Sequence, residues 1–190
     1  MLLGLLVAAQ FVAGLRESIW PIHHRATPHV VKPPPPPPLN AVLIMNGGFE
    51  ANVDGWQPDC SACGNVLVRD TAVHKFGVSS MKVVTSSYFQ GARVLDIPAV
   101  GRTRYAFSAW VFQRSGKTAA IVLRCGLSTP PTFQQERTFG VASGVWRHLS
   151  FTFVTAAGVT SINAAEVLNA QETPLTFWVD GVRLHRLPPR

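Results

Sequence analysis

The chain has 190 residues, 47% of them hydrophobic and only 14% charged, with a net charge of +7. That length supports one core-bearing domain plus an appendage. The basic residues stand singly, as at Arg93, Arg124 and Arg147, with no stripe for reading phosphates, so nucleic acid is not an expected partner.

Residues 1–20 open with an almost unbroken apolar run from Met1 to Leu15, followed by Arg16 and Glu17. The run favours a short helix, but it is shorter than the roughly 20 residues a bilayer crossing needs. No Lys or Arg precedes it, as one would in a secretory signal. The expectation is an apolar anchor or assembly helix that contacts copies of the chain or neighbouring proteins; a signal peptide is the alternative. Residues 21–40 carry His23, His24 and His29 and then Pro33 to Pro38 without interruption. Consecutive prolines lack amide donors and hold the polyproline II geometry, so this segment reads as a stiff stalk. An assembly of copies through residues 1–39 would follow.

From residue 41 to 188 the texture changes to short alternating runs separated by Gly, Pro, Ser and Asn. Strands are expected at 42–45, 66–69, 80–85, 93–97, 104–113, 119–125, 136–140, 146–154, 161–168 and 175–184. Turn signals every ten residues or so, with no helical period, predict an all-β fold, an antiparallel β-sandwich. In the run at 104–113, Tyr105, Phe107, Ala109 and Val111 share one face, which reads as core. Ala106, Ser108, Trp110 and Phe112 share the other.

Three cysteines leave the compartment open. Cys60 and Cys63, in Cys-Ser-Ala-Cys, suit a disulfide in an oxidising place or half of a metal site, and Cys125 reads as a small buried hydrophobe. No carboxylate dyad, nucleophile elbow, phosphate loop or HExxH helix is legible, so an enzyme is not expected.

Five motifs occur in a telling order: Asn46-Gly47-Gly48-Phe49-Glu50 with Gly55-Trp56; Phe76 to Val83; Tyr105 to Val111; Trp146 to Phe153; and Phe177-Trp178-Val179-Asp180-Gly181-Val182. Together they resemble the family 4/9 carbohydrate-binding modules over roughly residues 41–187. The resemblance implies a jelly roll whose first and last strands are neighbours. It also implies a structural calcium held by Glu50 and Asp180 with backbone carbonyls. It makes Trp110 and Phe112 candidate sugar-stacking residues on an open sheet face, against packing or an oligomer interface. Tyr88 and Gln90, and Phe133 and Gln135 in the loop after Pro130-Pro131, are candidate rim contacts that pair aromatic faces with amides. Such modules occur in polysaccharide-degrading enzymes, surface proteins and bacteriophage tails. The function expected is therefore a non-catalytic virion protein, tail or capsid, that displays the module toward a cell-surface polysaccharide. A secreted or membrane-anchored bacterial carbohydrate-binding protein and a purely structural decoration protein are the alternatives.

Overall fold

A computed structural model describes Pro38, residues 41–127 and residues 134–189. The expected helix over 1–20, nearly all of the stalk over 21–40, and Phe133 lie outside the described residues. Ten strands follow in chain order: β1 (Gln57–Pro58), β2 (Val66–Asp70), β3 (Ser80–Thr85), β4 (Gly91–Pro98), β5 (Arg104–Gln113), β6 (Ala119–Leu127), β7 (Gln134–Val141), β8 (Arg147–Val154), β9 (Ser161–Asn169) and β10 (Leu175–Arg186). They form two five-stranded sheets, β1-β4-β9-β6-β7 and β2-β3-β10-β5-β8, and every pairing is antiparallel. The expected β-sandwich is the fold, with the jelly-roll layering of two packed sheets.

Alternation explains the layers. On β8 the burial pattern follows period 2, with Leu149, Phe151 and Phe153 inward and Ser150, Thr152 and Val154 outward. On β5 the four residues expected as core, Tyr105, Phe107, Ala109 and Val111, are all 0% exposed. They meet Met81 and Val83 of β3, Phe177 and Val179 of β10, and Ile121, Leu123 and Val167 of the opposite sheet in one cluster. Each large apolar side chain there stabilises the fold by about 1.5–3 kcal/mol relative to exposure.

The opening and closing segments lie side by side. The Leu43 amide donates to the Leu184 carbonyl at 2.8 Å, and the Val182 amide donates to the Gly47 carbonyl at 2.8 Å. A β-carbon at Gly47 would overlap the Val182 carbonyl, so this approach requires glycine. The strand expected at 42–45 is reduced to one bridge, Val42 to His185. After Met45 the chain turns at Asn46, which has φ of 54° and whose Nδ2 donates to the carbonyls of Asn52 and Asp54, both at 3.1 Å. The two-residue β1 was not expected, because its Gln-Pro sequence reads as loop; it exists through pairing with Arg93 and Ala92. Cys60 and Cys63 form a disulfide across the 3-10 turn that follows, and Cys125 is a buried free thiol.

Candidate functional site

The structure separates the residues singled out from the sequence. Trp110 and Phe112 do share the outer face of the β2-β3-β10-β5-β8 sheet, but only Trp110 is available. Phe112 is 8% exposed, with its ring 5.4 Å from Trp146 and 5.7 Å from Trp178. Arg114 covers it at 5.3 Å. Trp178 is itself anchored, since its indole N–H donates to Asp70 Oδ2 at 2.8 Å and holds the Asp70 carboxyl below its usual range. Phe112 is therefore part of a satellite core and not a stacking platform. Gln90 is buried, and its Oε1 accepts from the Ser86 amide at 2.8 Å, the Ser86 hydroxyl at 3.0 Å and the Ser87 amide at 3.3 Å. It locks the turn before β4 and is not presented to a ligand. Gln135 stands opposite Cys125, and opposed residues point to the same side of a sheet, so it faces the core side and not the outer surface. Tyr88 is exposed, with its ring 4.1 Å from Phe89.

The outer face of the β1-β4-β9-β6-β7 sheet carries a group that sequence reasoning missed. Register places Arg93 of β4 beside Glu166 of β9, Glu166 beside Arg124 of β6, and Arg124 beside Glu136 of β7. Their neighbours Ala92, Val167 and Leu123 turn into the core, which forces this row outward. Asp59 joins from the end of β1, where its amide donates to the Gly91 carbonyl at 3.0 Å. Its carboxylate lies 3.5 Å from Arg93 Nη1 and 3.9 Å from Arg124 Nη2, and Arg124 Nε bonds Glu166 Oε2. The Arg124 guanidinium also sits 5.1 Å over the Phe89 ring, which links the charges to the Tyr88–Phe89 pair.

Burial of these charges sets their chemistry. The Glu166 side chain is only 6% exposed and that of Arg124 14%. Burial works against the Arg124 charge, yet the hydrogen bond and charge of Glu166, with Asp59 and Glu136, push its guanidinium further up. Burial also lifts the Asp59 carboxyl to about 6, helped by a hydrogen bond and like charge from Glu166 and opposed by Arg124 and Arg93. Arg93 Nε is buried with no hydrogen-bond partner among the described residues. The face therefore offers fixed donors and acceptors beside an exposed aromatic ring, the combination that holds a hydroxyl-rich ligand in orientation. Because the chain is antiparallel, four strands far apart in sequence supply these groups; only the outward parity of each residue, not the row itself, was legible beforehand.

Glu50 and Asp180 converge on the loop between β2 and β3. Asp180 Oδ2 accepts the amides of Lys75 and Phe76, both at 2.8 Å, its Oδ1 accepts the Gly181 amide at 2.7 Å, and Glu50 Oε2 accepts the Val78 amide at 2.9 Å. Burial raises the Asp180 carboxyl, the amides of Phe76, Lys75 and Gly181 lower it, and the Glu50 charge raises it again. Gly77, with φ of 55°, lies against the Glu50 carboxylate where a β-carbon would collide. Among the described residues no group of three or more His, Cys, Asp or Glu is placed to hold a metal ion.

Comparison with known proteins fits the two-sheet architecture. A family model described as a carbohydrate binding domain matches residues 41–168. The chain belongs to the family 4/9 carbohydrate-binding modules. Endo-1,4-beta-xylanase A of Thermotoga maritima is 32% identical over 149 residues, and the enzyme of the same name from Thermotoga neapolitana is 27% identical over 148. Each alignment covers 75% of this chain but only 14% of the relative's length. Among solved structures, a xylan-binding domain of family 22 superposes with a TM-score of 0.64 at 16% identity, covering 80% of this chain and 99% of that one. The family 22 and catalytic modules of a Clostridium thermocellum xylanase, complexed with xylohexaose, give 0.63 at 19% identity, covering 74% and 28%. At such identities the superpositions establish the fold.

The Asp59 carboxyl of this module gives a pH signature. Its folded value of about 6 exceeds the ordinary 3.8, so the fold prefers the protonated form. The resulting stabilisation is complete below the unfolded value and is lost as pH rises through the folded one. Thermal melts across that window should show wild type falling relative to Asp59→Asn, whose amide cannot ionise. A constant difference between the two proteins would contradict the assignment.

Proposed function

We propose that this module is a non-catalytic binder of a neutral, hydroxyl-rich polysaccharide of the xylan type, held on the outer face of the β1-β4-β9-β6-β7 sheet. The observation that carries the reading is the row of buried charges at Arg93, Glu166 and Arg124, joined by Asp59 and flanked by the exposed Tyr88 ring. Planar guanidinium and carboxylate groups pair with sugar hydroxyls, and an aromatic ring receives the apolar face of a pyranose. The xylanase relatives and the xylan-binding neighbour support that ligand class. The carboxylates of this face are held by cations, Asp59 by Arg93 and Arg124 and Glu166 by Arg124, which suits holding a ligand rather than acid–base chemistry.

The same relatives favour the secreted or cell-surface bacterial alternative over the bacteriophage tail or capsid setting expected from the sequence. In that setting the module would hold its carrier against a polysaccharide, each site weak and several sites together strong. Calcium at Glu50 and Asp180 is a companion proposal. Two like charges meet at one loop, and Glu50 Oε1 accepts no hydrogen bond among the described residues, so a dication would find hard oxygen donors and relieve the repulsion.

Calorimetric titration of the full chain with xylohexaose should give binding that falls about tenfold, or ~1.4 kcal/mol, in Tyr88→Ala and in Arg93→Ala. Both side chains are partly exposed, so the fold should be kept; binding unchanged in both variants would remove this face as the site. For the ion, added calcium should raise the Tm and a chelator should lower it, with the response lost in Glu50→Gln. A Tm indifferent to calcium eliminates it.

A further inference from the structure

The opposite face of the sandwich differs in charge. Along β5 the outward residues from Arg104 to Trp110 span roughly 20 Å, with the small side chains of Ala106 and Ser108 between them. Register sets Ser150 and Thr152 of β8 beside Ser108 and Ala106 on one flank, and Arg183 and His185 of β10 beside the same two residues on the other. Trp110 closes one end. It is edge-on to Phe76 at 5.9 Å, 5.1 Å from His148, and covered by Lys75 Nζ at 4.5 Å. A cleft of about 290 Å³ opens there, lined by Trp110, Phe76, Ser108, His148, Arg183 and His185 among others. None of the residues lining this cleft is a carboxylate, and on this side Asp180 accepts three amides and Asp70 accepts the Trp178 indole N–H. Arg183 is exposed. On the first sheet, by contrast, Arg93 and Arg124 are matched by Asp59, Glu166 and Glu136.

We propose that this second face is a separate binding site for an acidic polysaccharide chain, one bearing uronic acid units. Trp110 supplies the apolar end wall of the cleft, and the exposed hydroxyls of Ser150 and Thr152 flank it on β8. Arg183 and Lys75 supply the cations, Arg183 in the fork geometry that takes a carboxylate through two bonds. With Arg183 and no carboxylate in the cleft lining, a uronate is the complementary occupant, and a neutral chain leaves the cations without a partner. The site lies on the sheet opposite the one assigned above and goes beyond that reading.

The test uses the full chain, glucuronoxylan, and the same polymer after reduction of its carboxyl groups, compared by affinity electrophoresis. Wild type should bind the acidic polymer about tenfold more tightly than the reduced one. Arg183→Glu, at an exposed position, and Trp110→Ala should both erase that ratio, whereas Tyr88→Ala should lower binding of both polymers and leave the ratio intact. Equal affinity of wild type for the two polymers, or a ratio unchanged in Arg183→Glu, would overturn the proposal. Displacement of the acidic polymer by duplex DNA at equal charge would also overturn it, since the face would then be a plain polyanion surface.

Discussion

The ion pair between Arg124 and Glu166 is the constraint around which the outer face of the first sheet is organised. A carboxylate and a guanidinium this deeply buried are tolerable only together, because either alone would be a desolvated charge, and breaking such a pair costs about 3–5 kcal/mol. Their strands, β6 and β9, are neighbours, so the pair also fixes which residues stand opposite one another on that face. Asp59 and Arg93 extend it by one strand on the other side of β9, and the Phe89 ring beneath Arg124 brings the Tyr88 edge to it. A ligand bound on this face would meet donors and acceptors already held in place, which lowers the ordering cost of binding.

The sandwich gives two outer surfaces that the same alternation produces and that electrostatics then distinguishes. On one, cations and carboxylates alternate across neighbouring strands. On the other, Asp70 and Asp180 are consumed internally, one by an indole and one by amides, and Arg183 stands exposed. The aromatic residues divide in a parallel way. Phe112, Trp146 and Trp178 pack on one another, while Trp110 stands at the wall of an open cleft. Aromatic content alone would not separate these roles; neighbours and register do.

Much of the fold was readable from period and punctuation. Strand-like alternation at 104–113 assigned the core face correctly, because in that strand each inward residue is apolar and the pleat has only two sides. The adjacency of first and last segments followed from the family motifs, and Gly47 and Gly77 show why glycine occupies those motif positions. The charged face of the first sheet was less legible. Arg93, Arg124 and Glu166 are single charges in apolar runs, and nothing local says that register will align them. Gln90 and Gln135 are turned inward for a related reason: an amide near a loop is as useful for closing a turn or lining an edge as for meeting a ligand.

The most direct measurement is a map of backbone amide chemical shifts in the full chain during titration with xylohexaose. The account predicts changes concentrated on β4, β6 and β9 around Arg93, Arg124 and Glu166, and at Tyr88, with the amides of β8 still. Changes confined to β5, β8 and β10, or no change at all, would contradict the placement of the neutral-glycan site on the first sheet.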